Sequence, residues 1–173
     1  MITRKKLDNV PEINKLDFIM VSLPPKLRIL FAGAVLALCV CTGAHAVEYT
    51  TVDFIGKWRL TYGGGFGYEF YFKENYRAYV VIFLKSHVLV FRGIYAVDEG
   101  NIIRINISDM KEQPTGRSYE SEAGFTKTSS SVFLFSVSGM ENRKLVIRPR
   151  KIQIDGRRSD GYFEEEIPLT FSN

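Results

Sequence analysis

Residues 55–70 read IGKWRLTYGGGFGYEF, with four glycines set between two runs of large aromatic side chains. Ahead of the glycines, Trp58, Leu60 and Tyr62 alternate with Lys57, Arg59 and Thr61, the period-two pattern of a half-buried strand. Behind them Phe70 and Phe72 alternate with Glu69 and Lys73. A phosphate cradle needs glycine N–H groups that lead into a helix N-terminus, whose dipole and free donors face the anion. Here the glycines lead into YEFYF, a strand, and neither a Walker lysine nor the acidic residue of a dinucleotide site accompanies them. The stretch therefore reads as a turn needing positive φ between two strands, with Phe66 projecting from it.

The same alternation continues down the chain, at Ile103, Ile105 and Ile107 and again at Phe133, Phe135 and Val137. With turn residues between the runs, strands are predicted near 55–62, 68–73, 76–84, 87–97, 102–108, 131–138, 144–154 and 162–171. In the strand at 144–154 the apolar phase flips from Leu145 and Ile147 to Ile152 and Ile154, which predicts a bulge around Pro149. Short connectors imply antiparallel neighbours. The expected fold is all-β, a single antiparallel up-and-down barrel of about eight strands, since closure leaves no exposed edge; a β-sandwich is the alternative. Residues 109–130, mostly polar, interrupt the rhythm and read as a flap, a weak extra hairpin through Tyr119 and Phe125, or a disordered loop.

The first 46 residues differ in character. Lys26 and Arg28 precede the apolar run ILFAGAVLALCV (29–40), and Ala44 and Ala46 supply an A-x-A exit, so 1–46 reads as an export signal with an N-terminal extension, with Met20 as an alternative start. The uncharged stretch is shorter than the roughly 20 residues of a spanning helix. Both cysteines, Cys39 and Cys41, lie inside it, without the small preceding residue that lipid anchoring would use. The expected mature domain is 47–173, periplasmic or secreted and free of thiols.

Removing the signal takes six basic and three acidic side chains from totals of 23 and 19, leaving 17 against 16. The electrostatic motive for nucleic-acid binding goes with it. A single histidine, His87, remains, so zinc sites of the Cys/His type and Cys–His nucleophiles are excluded, and no catalytic constellation, metal site or cofactor is expected.

Gly56-Lys57-Trp58 at the head of the first strand resembles the G-x-W start of lipocalins. Phe72-Lys73-Glu74-Asn75-Tyr76 and Gly93-Ile94-Tyr95-Ala96-Val97 are similar to elements of the small exported lipocalin-like domains of bacteria. The T-D-Y element and C-terminal helix of lipocalins have no counterpart. The resemblance implies a calycin-type barrel whose base is closed by Gly56 and Trp58, with Arg148, Arg150 or Arg157 packed across the tryptophan. It implies a small apolar or amphipathic ligand, buried against Tyr62, Phe70, Phe72, Phe91, Tyr95 and Phe133. Side chains that simply fill an eight-stranded barrel are the competing reading, as in an envelope protein-interaction module (inhibitor or assembly factor) presenting loops 62–68 and 109–130.

One hairpin is apolar on both faces. Ala78, Val80, Ile82 and Leu84 line one side of residues 76–84, and Tyr79, Val81 and Phe83 the other; Val88, Val90 and Ile94 repeat the pattern in the next strand. Two-sided apolar strands ask for a second covering. The expectation is self-association through Tyr79, Val81, Phe83, Val88, Val90 and Ile94 as a homodimer, or contact with an envelope partner or membrane surface without spanning it. The alternative cover is the 109–130 segment or the mature N-terminus.

Overall fold

The computed structural model describes residues 47–172; the predicted signal segment and the two cysteines lie outside the described residues. Nine strands form: β1 (Gly56–Thr61), β2 (Phe66–Phe72), β3 (Arg77–Leu84), β4 (His87–Asp98), β5 (Ile102–Pro114), β6 (Thr126–Glu141), β7 (Lys144–Ile154), the two-residue β8 (Arg157–Arg158) and β9 (Ile167–Ser172). Each of β1 to β7 pairs antiparallel with the next, and β9 pairs with both β7 and β1, so eight strands close into a barrel. β8 is an extra rung on β7, at Gln153 and Ile154, beyond the point where β9 has left that edge.

The glycine stretch is a turn. Gly63–Gly65 makes one turn of 3-10 helix, with Gly64 at φ 79°, and the chain enters β2 at Phe66. Gly67 is held there by contact as well as conformation: its φ is +154°, and a Cβ would run into the carbonyl oxygen of Leu60 in the paired strand. The predicted bulge is present too. Phe135 pairs with Pro149 and Leu134 with Lys151, so Arg150 is the extra residue, and Leu145, Ile147 and Ile152 are all buried despite their opposite phases.

Inward positions form one continuous core, including Trp58, Phe70, Phe72, Phe91, Tyr95, Ile105, Phe133 and Phe135. At the end where β1 begins, Phe54, from the 3-10 turn Thr51–Phe54, plugs the barrel. Asp53 accepts from the Thr50 backbone N–H at 2.7 Å and from its hydroxyl at 2.9 Å, fixing the entry of the chain.

Two stretches depart from expectation. β5 and β6 continue through Pro114 and from Thr126, so much of 109–130 is ladder: Asp109 pairs with Lys127 and Met110 with Thr126. Polar residues hid these strands because their outer positions face water. The connection that remains lies on the outside of the barrel, where Tyr119 and Phe125 pack against a second apolar cluster of Tyr79, Val81, Val88 and Val90. The covering that the two-sided hairpin asks for thus comes from the chain itself, and these four residues are buried within one molecule; Phe83 is half-buried and Ile94 exposed. The second departure is at 162–171, where only the last part is strand and the residues before β9 cross the open end of the barrel.

The outer strap is pinned by charge. The Tyr119 hydroxyl donates to the buried Glu69, which also receives Arg59 at 2.6 Å. Glu120 bridges Lys73 at 2.7 Å and Lys57 at 3.7 Å, and Glu122 meets Arg92. The Lys111 ammonium, nearly enclosed, donates to the carbonyl of Ser121 at 2.7 Å. Phe125 lies between the Arg92 and Lys111 cations, 4.2 and 4.3 Å from its ring centre.

Candidate functional site

The barrel has two unlike ends. At the Trp58 end the indole N–H donates to the Phe54 carbonyl at 2.7 Å, and the Phe171 ring meets the indole edge-on at 5.1 Å. The arginine expected across this tryptophan is not Arg148, Arg150 or Arg157. Arg148 pairs with Glu166 at 2.5 Å, Arg150 donates to the Ser136 hydroxyl at 3.0 Å, and Arg157 is exposed on β8. These belong to the later part of β7 and to β8, which point to the opposite end of the barrel. Arg143, in the β6–β7 turn, supplies the cation instead: its guanidinium lies 4.8 Å from the centre of Phe171, which stands between it and Trp58. Gly56 completes this end, because a Cβ there would occupy the space of the Phe171 ring.

The other end is the mouth. β9 pairs with only the first half of β7, and the freed segment 159–166 folds over the opening. It drives Phe163 into the barrel, where the ring lies 5.3 Å from Phe135, 5.6 Å from both Phe133 and Tyr68, and 6.2 Å from Phe70. Polar contacts that hold the segment include Arg158 to Asp160, Arg148 to Glu166, the Tyr62 hydroxyl to Glu164 at 2.5 Å, and the Ser159 N–H to the Ile152 carbonyl at 2.9 Å. Burial and then the bond to Glu164 push the Tyr62 hydroxyl well above its ordinary range, and burial followed by the charge of Glu164 does the same to Tyr68. Both phenols stay protonated, and Tyr62 donates its one proton to Glu164.

Beside this plug is a cleft of about 320 Å³, bordered by Tyr62, Phe66, Tyr68, Phe83, Tyr162 and Glu164. Tyr62, Phe66 and Tyr162 are 36, 44 and 41 % exposed, so three exposed aromatic rings converge on one opening. Such rings leave contact surface unused that a guest with an apolar body would bury.

Of the six residues expected to line a cup, five meet one another inside the barrel. Phe72 and Tyr95 are 4.8 Å apart toward the Trp58 end, Phe91 and Phe133 are 5.0 Å apart, and Phe70 meets Phe135 at 5.2 Å. Only Tyr62 faces the cleft. The residues that sequence reasoning passed over are Tyr162 and Phe163, and Glu164 reads in sequence as part of a solvated charge run with Glu165 and Glu166. The signal was present in the adjacent turn residues SDG (159–161), which break the last strand just before an aromatic pair. His87, at the start of β4, faces Glu112 at 3.4 Å, with the Ser86 hydroxyl 3.3 Å from its other ring nitrogen.

No protein-family model, no curated protein and no solved structure matches this chain, so the mouth and the base are read from their own geometry.

Proposed function

We propose that this protein is an exported, lipocalin-like barrel that binds a small apolar or amphipathic molecule at its mouth. The observation that carries the reading is the convergence of Tyr62, Phe66 and Tyr162 on one cleft next to Phe163. The rings supply apolar contact, and the Tyr62 and Tyr68 hydroxyls with the Glu164 carboxylate supply a polar edge that orients a guest. At this end Phe163 is a core ring delivered by a crossing segment rather than by a barrel strand, so its withdrawal is the route by which the aromatic interior would admit a longer apolar chain. Native mass spectrometry of the protein purified from its own host, with organic extraction, tests the reading. A bound small molecule that is lost from a Phe66→Ala, Tyr162→Ala double variant supports it; apoprotein in both samples counts against it.

A second reading, an envelope protein-interaction module with a filled barrel, is favoured by the ring-to-ring packing of the interior. Of its two candidate loops, 109–130 is largely committed to the barrel's own outer face, which leaves the 62–68 rim as the presenting surface. Crosslinking followed by co-purification separates it from the carrier reading.

A further inference from the structure

The carboxylates of the mouth segment are not treated alike. Asp160 has Arg158 and Glu166 has Arg148, and Glu165 borders a cleft shared with Arg148, Arg150 and Arg158, but Glu164 lines a cleft with no cation and has no ion-pair partner among the described residues; its neighbour is the neutral Tyr62 hydroxyl. Arg59, the cation over the Phe83 ring at 5.3 Å, is already matched by Glu69 at 2.6 Å. An unbalanced carboxylate therefore edges a cleft whose other walls are mainly aromatic and aliphatic side chains.

Aromatic faces carry negative quadrupole density and attract cations, most strongly where water is excluded, and a carboxylate at the edge adds a net charge of the same sense. An anionic guest meets repulsion from both. A neutral one gains apolar contact only.

From this arrangement we infer that the mouth selects an organic cation, a primary or quaternary ammonium group on an apolar body, with the charged head between Glu164 and the Tyr62, Phe66 and Tyr162 rings and the body directed toward Phe163. The inference deepens the proposed function and rests on the mouth being a small-molecule site.

The test compares three probes of equal chain length, octyltrimethylammonium, octanol and octanoate, each below its self-association concentration, by calorimetric titration of the purified protein. Octyltrimethylammonium is expected to bind about ten-fold tighter than octanol, and octanoate weakest. Glu164→Gln, at an exposed position and checked for an unchanged melting temperature, should bring octyltrimethylammonium to about the affinity of octanol measured on the same variant. Equal affinity for all three probes, a preference for octanoate, or a preference that survives Glu164→Gln would overturn the cation assignment and leave the small-molecule site standing. Failure of every probe to bind would remove both.

Discussion

The Trp58 indole N–H donates to the carbonyl of Phe54, four residues earlier, at 2.7 Å, so the first barrel strand and the plug that precedes it are tied by one buried bond. Trp58→Ala removes that bond and the surface on which Phe171 rests. It is expected to cost about 3 to 5 kcal/mol, the range for deleting a large buried ring. Trp58→Phe keeps much of the contact and leaves the Phe54 carbonyl unpaired, for about 1 to 3 kcal/mol. Denaturant titration of both variants checks the ordering; equal losses would mean that the ring contact contributes nothing beyond the bond, which both variants lack.

Gly67 and Gly100 both have positive φ but differ in surroundings. A methyl at Gly67 meets the backbone of β1, whereas Gly100 has open space around it. Gly100→Ala should cost about 1 kcal/mol from conformation alone, and Gly67→Ala more than 2 kcal/mol. Thermal melts of the two variants would show the gap.

Glu69 is 2 % exposed and rests on Arg59 and Tyr119. Arg59→Met leaves its charge enclosed with one neutral donor and is expected to cost about 2 to 3 kcal/mol, below the range of about 3 to 5 kcal/mol for a fully buried pair because the arginine is itself half exposed. Adding Glu69→Leu should restore most of the loss. A double variant no more stable than the single one would show that the charge is not the source.

The strap should loosen in acid. The hydrogen bond from Lys73 holds the Glu120 carboxyl below glutamate's ordinary 4.5, and Ser108, followed by Arg92, holds Asp109 below its own ordinary value. A carboxylate with a depressed folded-state pKa stabilises the fold above its unfolded value, and the contribution fades as pH falls through the folded one. Below about pH 4.5, progressively, Glu120 releases Lys57 and Lys73. Hydrogen exchange at 118–124 should rise over that window while the core of β3 stays protected. The bond from Arg92 holds Glu122 below its ordinary value too, which adds to the acid effect, whereas burial depresses Lys111, which adds stability only toward alkaline pH and does not oppose it.

Cleavage by trypsin under native conditions is expected at Arg117, in the exposed turn after β5, and not at Lys111, which is buried beneath the strap within a strand. First cleavage at Lys111 would show that the strap is open in solution.

Local periodicity was enough for the architecture. Alternation at Trp58 to Tyr62 and at Ile103 to Ile107, and the phase change near Pro149, each report which face of one strand is buried, and that is a property of neighbouring residues. The two-sided apolar hairpin likewise announced a second cover. What covers it was not legible, because the strap's contacts span long separations: Glu69 to Tyr119 is 50 residues and Lys73 to Glu120 is 47. Polar segments carry no periodicity that says where they dock. The same reason explains the base, where Arg143 rather than Arg148 or Arg150 meets Phe171: pairing of β9 sets Phe171 opposite Arg143, whereas Arg148 and Arg150 lie further along β7. The mouth depended most on tertiary structure. Phe163 reads in sequence as one more strand residue, and it becomes a plug only because β9 pairs with half of β7 and leaves the preceding segment to cross the opening. Closure around the barrel, not local sequence, decides which aromatic rings fill the interior and which three remain at the rim.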